Sequence, residues 1–451
     1  MSRTILIEND KAYLDENSGD LIFYRDKKPV TGLIQTPNKL HEINIYNLKL
    51  ILTDYCNFSC KYCFIEKSID YMKHSRNMMP WSIAKAGIDL FCDLSFATDY
   101  TPKMINLYGG EPLLNKEILK KSVKYIRDIE KTNKINSKIE IVLDTNGSLI
   151  DEEIASFLVE HDIVTIVSVD GNRLIHNKVR TYKDGKGTFD DVISGYEKIK
   201  NKNGKVVVSC VLSPYNSDNI EYIITYFRYY LNATSVGLNM LHPIHGVNKL
   251  PFADSNAKLF QTYKKAYLTA KEKGVYIEHI MRRIRPIVEG RIRYKDCPSY
   301  GWRIVIDPSG RISPCEAFFS CGKYTINDVK KYSKAKFKSL FTQWARRYPF
   351  ELPSCNDCCS NTICGGGCAY NAYVLYGSIM KVDKRTCFVC QELLKWIIKE
   401  IYDKLKIKDK LSNKNYYIPT PDEKTFLYGK IPMDNINLSP LYHYSAFCEV
   451  K

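Results

Sequence analysis

The residues best able to do chemistry in this sequence are its cysteines, and they are clustered. Cys56, Cys60 and Cys63 form a Cys-x3-Cys-x2-Cys triplet. A structural zinc site takes four protein ligands, and no histidine within ten residues completes one. Three thiolates on a cubane iron–sulfur cluster would leave one iron open to a small molecule. The competing reading is a loop of free buried cysteines or part of a zinc site. A second series runs Cys297-x12-Gly310-x4-Cys315, then Cys355-x2-Cys358-x5-Cys364-x3-Cys368, then Cys387. Two zinc ribbons are the alternative there. Three polar turns fall between the series: Gly109-Gly110-Glu111-Pro112, Asp144-Thr145-Asn146-Gly147 and Ser168-Val169-Asp170-Gly171. Paired glycines let a backbone approach a ligand, and a carboxylate suits an ammonium group.

These residues need elements to hold them. Apolar, β-branched runs recur at 48–52, 104–107, 139–143, 164–169, 206–212 and 236–240, with helical spacing between them. Near-continuous apolar strands alternating with helices predict a parallel α/β sheet of about six βα units, a partial TIM-like barrel. The cysteine triplet follows the first strand, and the polar turns follow the second, third and fourth, where barrel folds place their chemistry. The expected organisation is a β extension over 1–46, the barrel over 47–250, a helical linker over 251–296, a cysteine-rich domain over 297–392, and a helix and tail over 393–451.

Composition narrows the classes further. The chain has 451 residues, 16 cysteines and a formal net charge of +16. Disulfide frameworks belong to small secreted chains, and the first 24 residues show no apolar signal core. No apolar run of about 18 residues suggests a membrane span. The positive charge favours an acidic partner. The stretch from Arg282 to Lys295, with Arg283, Arg285, Arg291 and Arg293, is the best support for a non-catalytic zinc or iron–sulfur module that binds RNA.

The motifs together resemble the radical S-adenosylmethionine (SAM) superfamily. In that family the triplet holds a [4Fe–4S] cluster whose open iron chelates SAM. The resemblance implies that Tyr62 lies against the adenine and that the Gly109, Gly110 and Glu111 segment meets the methionine amino group. It gives Ser168 and Arg180 the spacing of SAM contacts in peptide-modifying members. The second series resembles the SPASM domain, which carries two auxiliary [4Fe–4S] clusters. By resemblance, Cys297, Cys315 and Cys368 hold the nearer one, with Cys321 as a candidate fourth ligand or an open iron in its place. Cys355, Cys358, Cys364 and Cys387 would hold the distal one. Cys92, Cys210, Cys359, Cys390 and Cys448 are read as bystanders. Glu316 occupies the place of an aspartate base in sulfatase-maturing enzymes.

The function implied is hydrogen-atom abstraction from a ribosomally made precursor peptide, acidic and cysteine-containing, followed by crosslinking, with a thioether ahead of a carbon–carbon bond. An anaerobic sulfatase-maturing activity, which makes formylglycine, is the alternative. An electron donor such as flavodoxin or ferredoxin and a cytoplasmic location are expected. Membrane and nucleic-acid partners are not.

Overall fold

The computed structural model describes residues 4–26, 42–72, 76–95, 103–132, 138–244, 255–412, 414–432 and 449–450. Three short antiparallel strands, β1 (Ile5–Ile7), β2 (Asp10–Leu14) and β3 (Leu21–Tyr24), open the chain. The barrel strands follow: β4 (Asn47–Ile51), β5 (Lys103–Tyr108), β6 (Ile139–Thr145), β7 (Val164–Ser168), β8 (Val206–Leu212) and β9 (Ser235–Met240). Each pairs in parallel with the next. These are the six strands expected from the apolar runs, and their ends lie within two residues of the expected ones.

Helices cover the outer face because their apolar residues recur at spacings of three and four. In Lys116–Lys131 the buried set is Ile118, Leu119, Val123 and Ile126. Asp151 starts the helix Glu152–Glu160 by accepting a hydrogen bond from the Ile154 amide, which satisfies one of the otherwise unpaired amides of the first turn. Leu48, Leu50, Ile105, Leu107, Ile141 and Leu143 meet these helices in one continuous core.

The sheet extends beyond the six strands at both sides. The two-residue strand β10 (Tyr276–Ile277) adds in parallel to β9. After β11 (Ile292–Arg293), β12 (Arg303–Ile306) adds in parallel to β4, and β13 (Ile312–Ser313) returns antiparallel to β12. A strand from the cysteine-rich segment therefore belongs to the barrel sheet. Near the C-terminus, β14 (Tyr416–Tyr417) pairs with β3. Asp10 of β2 accepts hydrogen bonds from Arg25 and from Tyr402 of the helix Lys384–Lys404. The small N-terminal sheet thus gains its core from the C-terminal helix.

The basic stretch behaves differently from the RNA-binding reading. Arg283, Arg285, Arg293 and Lys295 are buried. Arg282, Arg283 and Arg293 pair with Asp296, and Arg285 pairs with Glu289. These charges are satisfied inside the molecule, so the stretch offers no exposed phosphate-binding surface. No helix among the described residues is long and apolar enough to cross a membrane.

Candidate functional site

The loop after β4 brings Cys56, Cys60 and Cys63 to the wall of a cavity of about 330 Å³ at the C-terminal end of the barrel. Gly109 and Gly110, which follow β5, line the same wall. The Gly110 amide donates to Thr53 O at 2.9 Å and the Glu111 amide to Tyr55 O at 2.8 Å. A Cβ on Gly110 would lie 2.3 Å from Tyr55 O. Glycine is needed at this position because the cysteine loop crosses it at backbone contact.

Glu111 is turned away from the cavity. Its carboxylate is fully buried and accepts hydrogen bonds from Thr145 Oγ1 and the Asn146 amide, both 2.7 Å, and from the Leu113 amide at 3.0 Å. Burial nonetheless pushes its pKa up to about 7. Its work here is to tie the turn after β5 to the turn after β6, which leaves the glycines as that segment's cavity wall.

Tyr62, Ser168 and Arg180 also line the cavity. They are organised by Asp170, a residue that the sequence motifs included but did not single out. Asp170 accepts from Arg180 Nε at 2.8 Å, from Tyr62 Oη, and from the Val211 amide of β8 at 2.9 Å. The Arg180 guanidinium stands 5.4 Å from the Tyr62 ring centroid. The signal was the carboxylate of a strand-end turn with an arginine ten residues on.

A second cavity, of about 230 Å³, is lined by Cys297, Cys315 and Cys368. Phe64, Asn239, Met240, His242 and Glu316 line both this cavity and the first. Cys321 ends the 3-10 turn Glu316–Cys321, where its thiol lies 3.3 Å from Phe318 O, and it does not line the cavity. Cys390 does line it, but Arg283 Nε donates to its sulfur at 3.0 Å. A third cavity, of about 240 Å³, is lined by Cys355, Cys358, Cys364 and Cys387. Gly365, Gly366 and Gly367 all have positive φ, at 69°, 88° and 65°. That left-handed run, which favours glycine, lets Cys364 face one cavity and Cys368 the other. Cys92 and Cys210 are buried in the cores, Cys359 lines none of these cavities, and Cys448 lies outside the described residues.

The donor sets suit iron–sulfur clusters. Among the described residues no three His, Cys, Asp or Glu side chains close on a point that would hold a single metal ion. The cysteines ring cavities instead, as a multi-iron cluster requires. Burial pushes the thiols of Cys60, Cys368 and Cys387 up to about 12, and those of Cys56, Cys63 and Cys315 up as well. Such thiols stay neutral alone and ionise when a bound cation compensates the charge.

Glu316 stands between the first two cavities. Burial would raise its pKa, but Lys49 Nζ at 2.7 Å and Arg303 at 3.7 Å outweigh burial and hold it at about 2. Lys49, from β4, also lies 4.2 Å from the Tyr108 ring centroid. Arg303 of β12 is steadied by Asn47, which bonds Asn106. No local pattern marks these partners, because a lysine and an arginine within strands pass for ordinary outward-facing residues.

The barrel thus carries a cysteine triplet at its C-terminal mouth, next to a glycine wall and an aspartate-held arginine. Residues 50–227 match the model of the radical SAM superfamily. That segment is a radical SAM domain, and the chain is a radical SAM enzyme. It is 25% identical over 378 residues to the radical SAM cyclopropyl synthase TigE of Paramaledivibacter caminithermalis, covering 80% of this chain and 74% of that one. It is 24% identical over 339 residues to a cysteine-type anaerobic sulfatase-maturating enzyme of Clostridium perfringens, covering 69% and 85%. The solved structure of native anSMEcpe with bound AdoMet and Cp18Cys peptide shares the fold at a TM-score of 0.63 and 19% identity, over 81% of this chain and 99% of that one. Membership implies SAM and a [4Fe–4S] cluster.

Proposed function

We propose that this chain is a peptide maturase that forms an intramolecular crosslink in a ribosomally made precursor, a thioether from a cysteine in preference to a carbon–carbon bond. The observation that carries the reading is the continuity of the first two cavities, which share five lining residues. A peptide spanning them would place a carbon beside the Tyr62–Arg180 wall and a cysteine beside Cys297, Cys315 and Cys368. The [4Fe–4S] cluster proposed on Cys56, Cys60 and Cys63, with SAM, supplies when bound a 5′-deoxyadenosyl radical that takes a hydrogen atom from an unactivated carbon. Asp170 keeps Tyr62 and Arg180 in place around the nucleotide, and the apolar wall of Phe64 and Met240 excludes water from the reacting carbon.

Auxiliary clusters are proposed on Cys297, Cys315 and Cys368, and on Cys355, Cys358, Cys364 and Cys387. With Cys321 outside the near cavity, Cys297, Cys315 and Cys368 would hold such a cluster by three thiolates, and an iron without a protein thiolate would suit a substrate thiolate. The net charge of +16 suits an acidic peptide. A flavodoxin- or ferredoxin-type donor and a cytoplasmic location complete the proposal. The sulfatase-maturing reading stands second, on the 24% identity over 69% of the chain.

The test is anaerobic coexpression with acidic, cysteine-bearing precursor peptides encoded nearby, followed by mass spectrometry with thiol alkylation. A thioether removes two hydrogens and one alkylatable thiol per link. Loss of two hydrogens with all thiols retained indicates the carbon–carbon bond. A peptide aldehyde in place of a cysteine indicates formylglycine and overturns the crosslinking reading.

A further inference from the structure

His242 stands two residues beyond β9 and lines both inner cavities. Its Nδ1 lies 2.7 Å from Asn371 Oδ1. The other end of the Asn371 amide fixes that orientation: Nδ2 donates to Asp383 Oδ2 at 2.9 Å, and a carboxylate only accepts. Oδ1 therefore faces the imidazole as an acceptor, so Nδ1 carries the proton. The neutral ring then keeps its lone pair on Nε2. Asp383 is held by Arg385 Nε and Nη2 at 3.0 and 2.8 Å, and Arg385 Nη1 donates to Leu241 O at 2.9 Å. The chain of bonds thus closes on the backbone beside His242.

The ring packs against Phe64 and Tyr370, with centroids 4.8 and 6.3 Å away. With the Nδ1 edge on Asn371 and aromatic neighbours beside the ring, the edge left for the cavities carries Nε2. Burial, the largest influence, holds the resting ring neutral. Glu316 and Asp383 favour a positive charge there, while Arg385 and His279 oppose it. Glu316 is already engaged by Lys49 at 2.7 Å and Arg303 at 3.7 Å, which leaves His242 as the base facing both cavities.

We propose that His242 is the base that takes the thiol proton of the substrate cysteine, in the tautomer that Asn371 and Asp383 impose. This rests on the thioether reading above. The S–H bond breaks with both electrons left on sulfur, and the proton passes to Nε2. Thiol becomes thiolate and imidazole becomes imidazolium, with no electron gained or lost overall. Glu316 then acts as a counter-charge across the shared wall.

Two measurements test this. In the first, His242→Gln and His242→Ala are assayed for crosslinked peptide formed per 5′-deoxyadenosine released. The ratio is expected to fall by about 10²-fold or more, the usual contribution of a general base, and added imidazole is expected to restore part of it in His242→Ala. An unchanged ratio, or no rescue in a variant that still releases 5′-deoxyadenosine, overturns the proposal. In the second, nitrogen NMR of 15N-histidine-labelled chain reads the tautomer: a proton on Nδ1 is expected, shifting to Nε2 in a fraction of molecules when Asn371→Leu removes the acceptor. A proton on Nε2 in the wild type overturns the proposal. Wild-type enzyme that cleaves SAM yet crosslinks no peptide overturns the thioether reading, whereas wild-type crosslinking with the proton on Nε2 overturns the assignment of His242 alone.

Discussion

Gly110 offers the sharpest test of how the cysteine loop is held. In Gly110→Ala the added Cβ meets Tyr55 O at 2.3 Å, Tyr55 C at 2.6 Å and Cys56 N at 3.1 Å, all backbone atoms. Cβ contacts shorter than 3.0 Å essentially do not occur, so the loop must withdraw by at least about 0.7 Å. No side-chain rotation relieves the overlap. Overpacking of this kind costs about 1–3 kcal/mol, and here the displacement falls on the peptide that carries Cys56. The expected result is local: with three cubanes proposed, iron should fall from about twelve to about eight per chain, with SAM cleavage lost. The auxiliary cysteines lie beyond the moved loop and should keep their iron. The assay is iron and sulfide analysis of anaerobically reconstituted protein beside its Tm. Gly110→Ala with full iron and wild-type SAM cleavage would refute the backbone-contact argument.

Other expectations follow from the same geometry. Cys321→Ser should retain the full iron content, whereas Cys368→Ser and Cys364→Ser should each lose about four iron, from different spectroscopic centres; loss of iron in Cys321→Ser would place that thiol on the near cluster. Asp170→Asn should weaken SAM binding by about tenfold or more, since Arg180 loses its buried counter-charge and breaking such a pair costs about 3–5 kcal/mol; equilibrium dialysis with labelled SAM measures it. The lowered pKa of Glu316, about 2 in the folded chain against about 4.3 unfolded, contributes roughly 3 kcal/mol at neutral pH. That stability is fully present above the unfolded value and is lost as pH falls from about 4.3 towards about 2. Denaturation midpoints across that window should converge between wild type and Glu316→Gln, and parallel curves would contradict the ion-pair geometry.

The six barrel strands were legible because a strand covered on both faces must be almost entirely apolar, as 206–212 is but for Ser209. The cysteine series was legible because ligand chemistry restricts both residue type and spacing. What escaped the sequence is long-range pairing. Nothing local to Arg303–Ile306 says that it lies beside Asn47–Ile51, and nothing local to Lys49 says that its ammonium finds Glu316. His242 escaped for the same reason: its meaning comes from Asn371 and Asp383, far away along the chain. Glu111 and the basic stretch show the converse error, where residue type suggested a ligand contact and the structure used the charge for internal ties.

The placement of β12 beside β4 has a consequence for biogenesis. Arg303 and Asn47, bonded across that junction, are 256 positions apart. Until the later strand emerges from the ribosome, the outer edge of β4 presents unpaired amides and carbonyls next to the cysteine loop, an invitation to pair with another chain. A truncated barrel ending before residue 303 should therefore be prone to aggregate, and cluster insertion into Cys56, Cys60 and Cys63 is best timed after the cysteine-rich segment has sealed that edge. One four-residue strand would thus couple synthesis to loading of the cluster proposed on that loop.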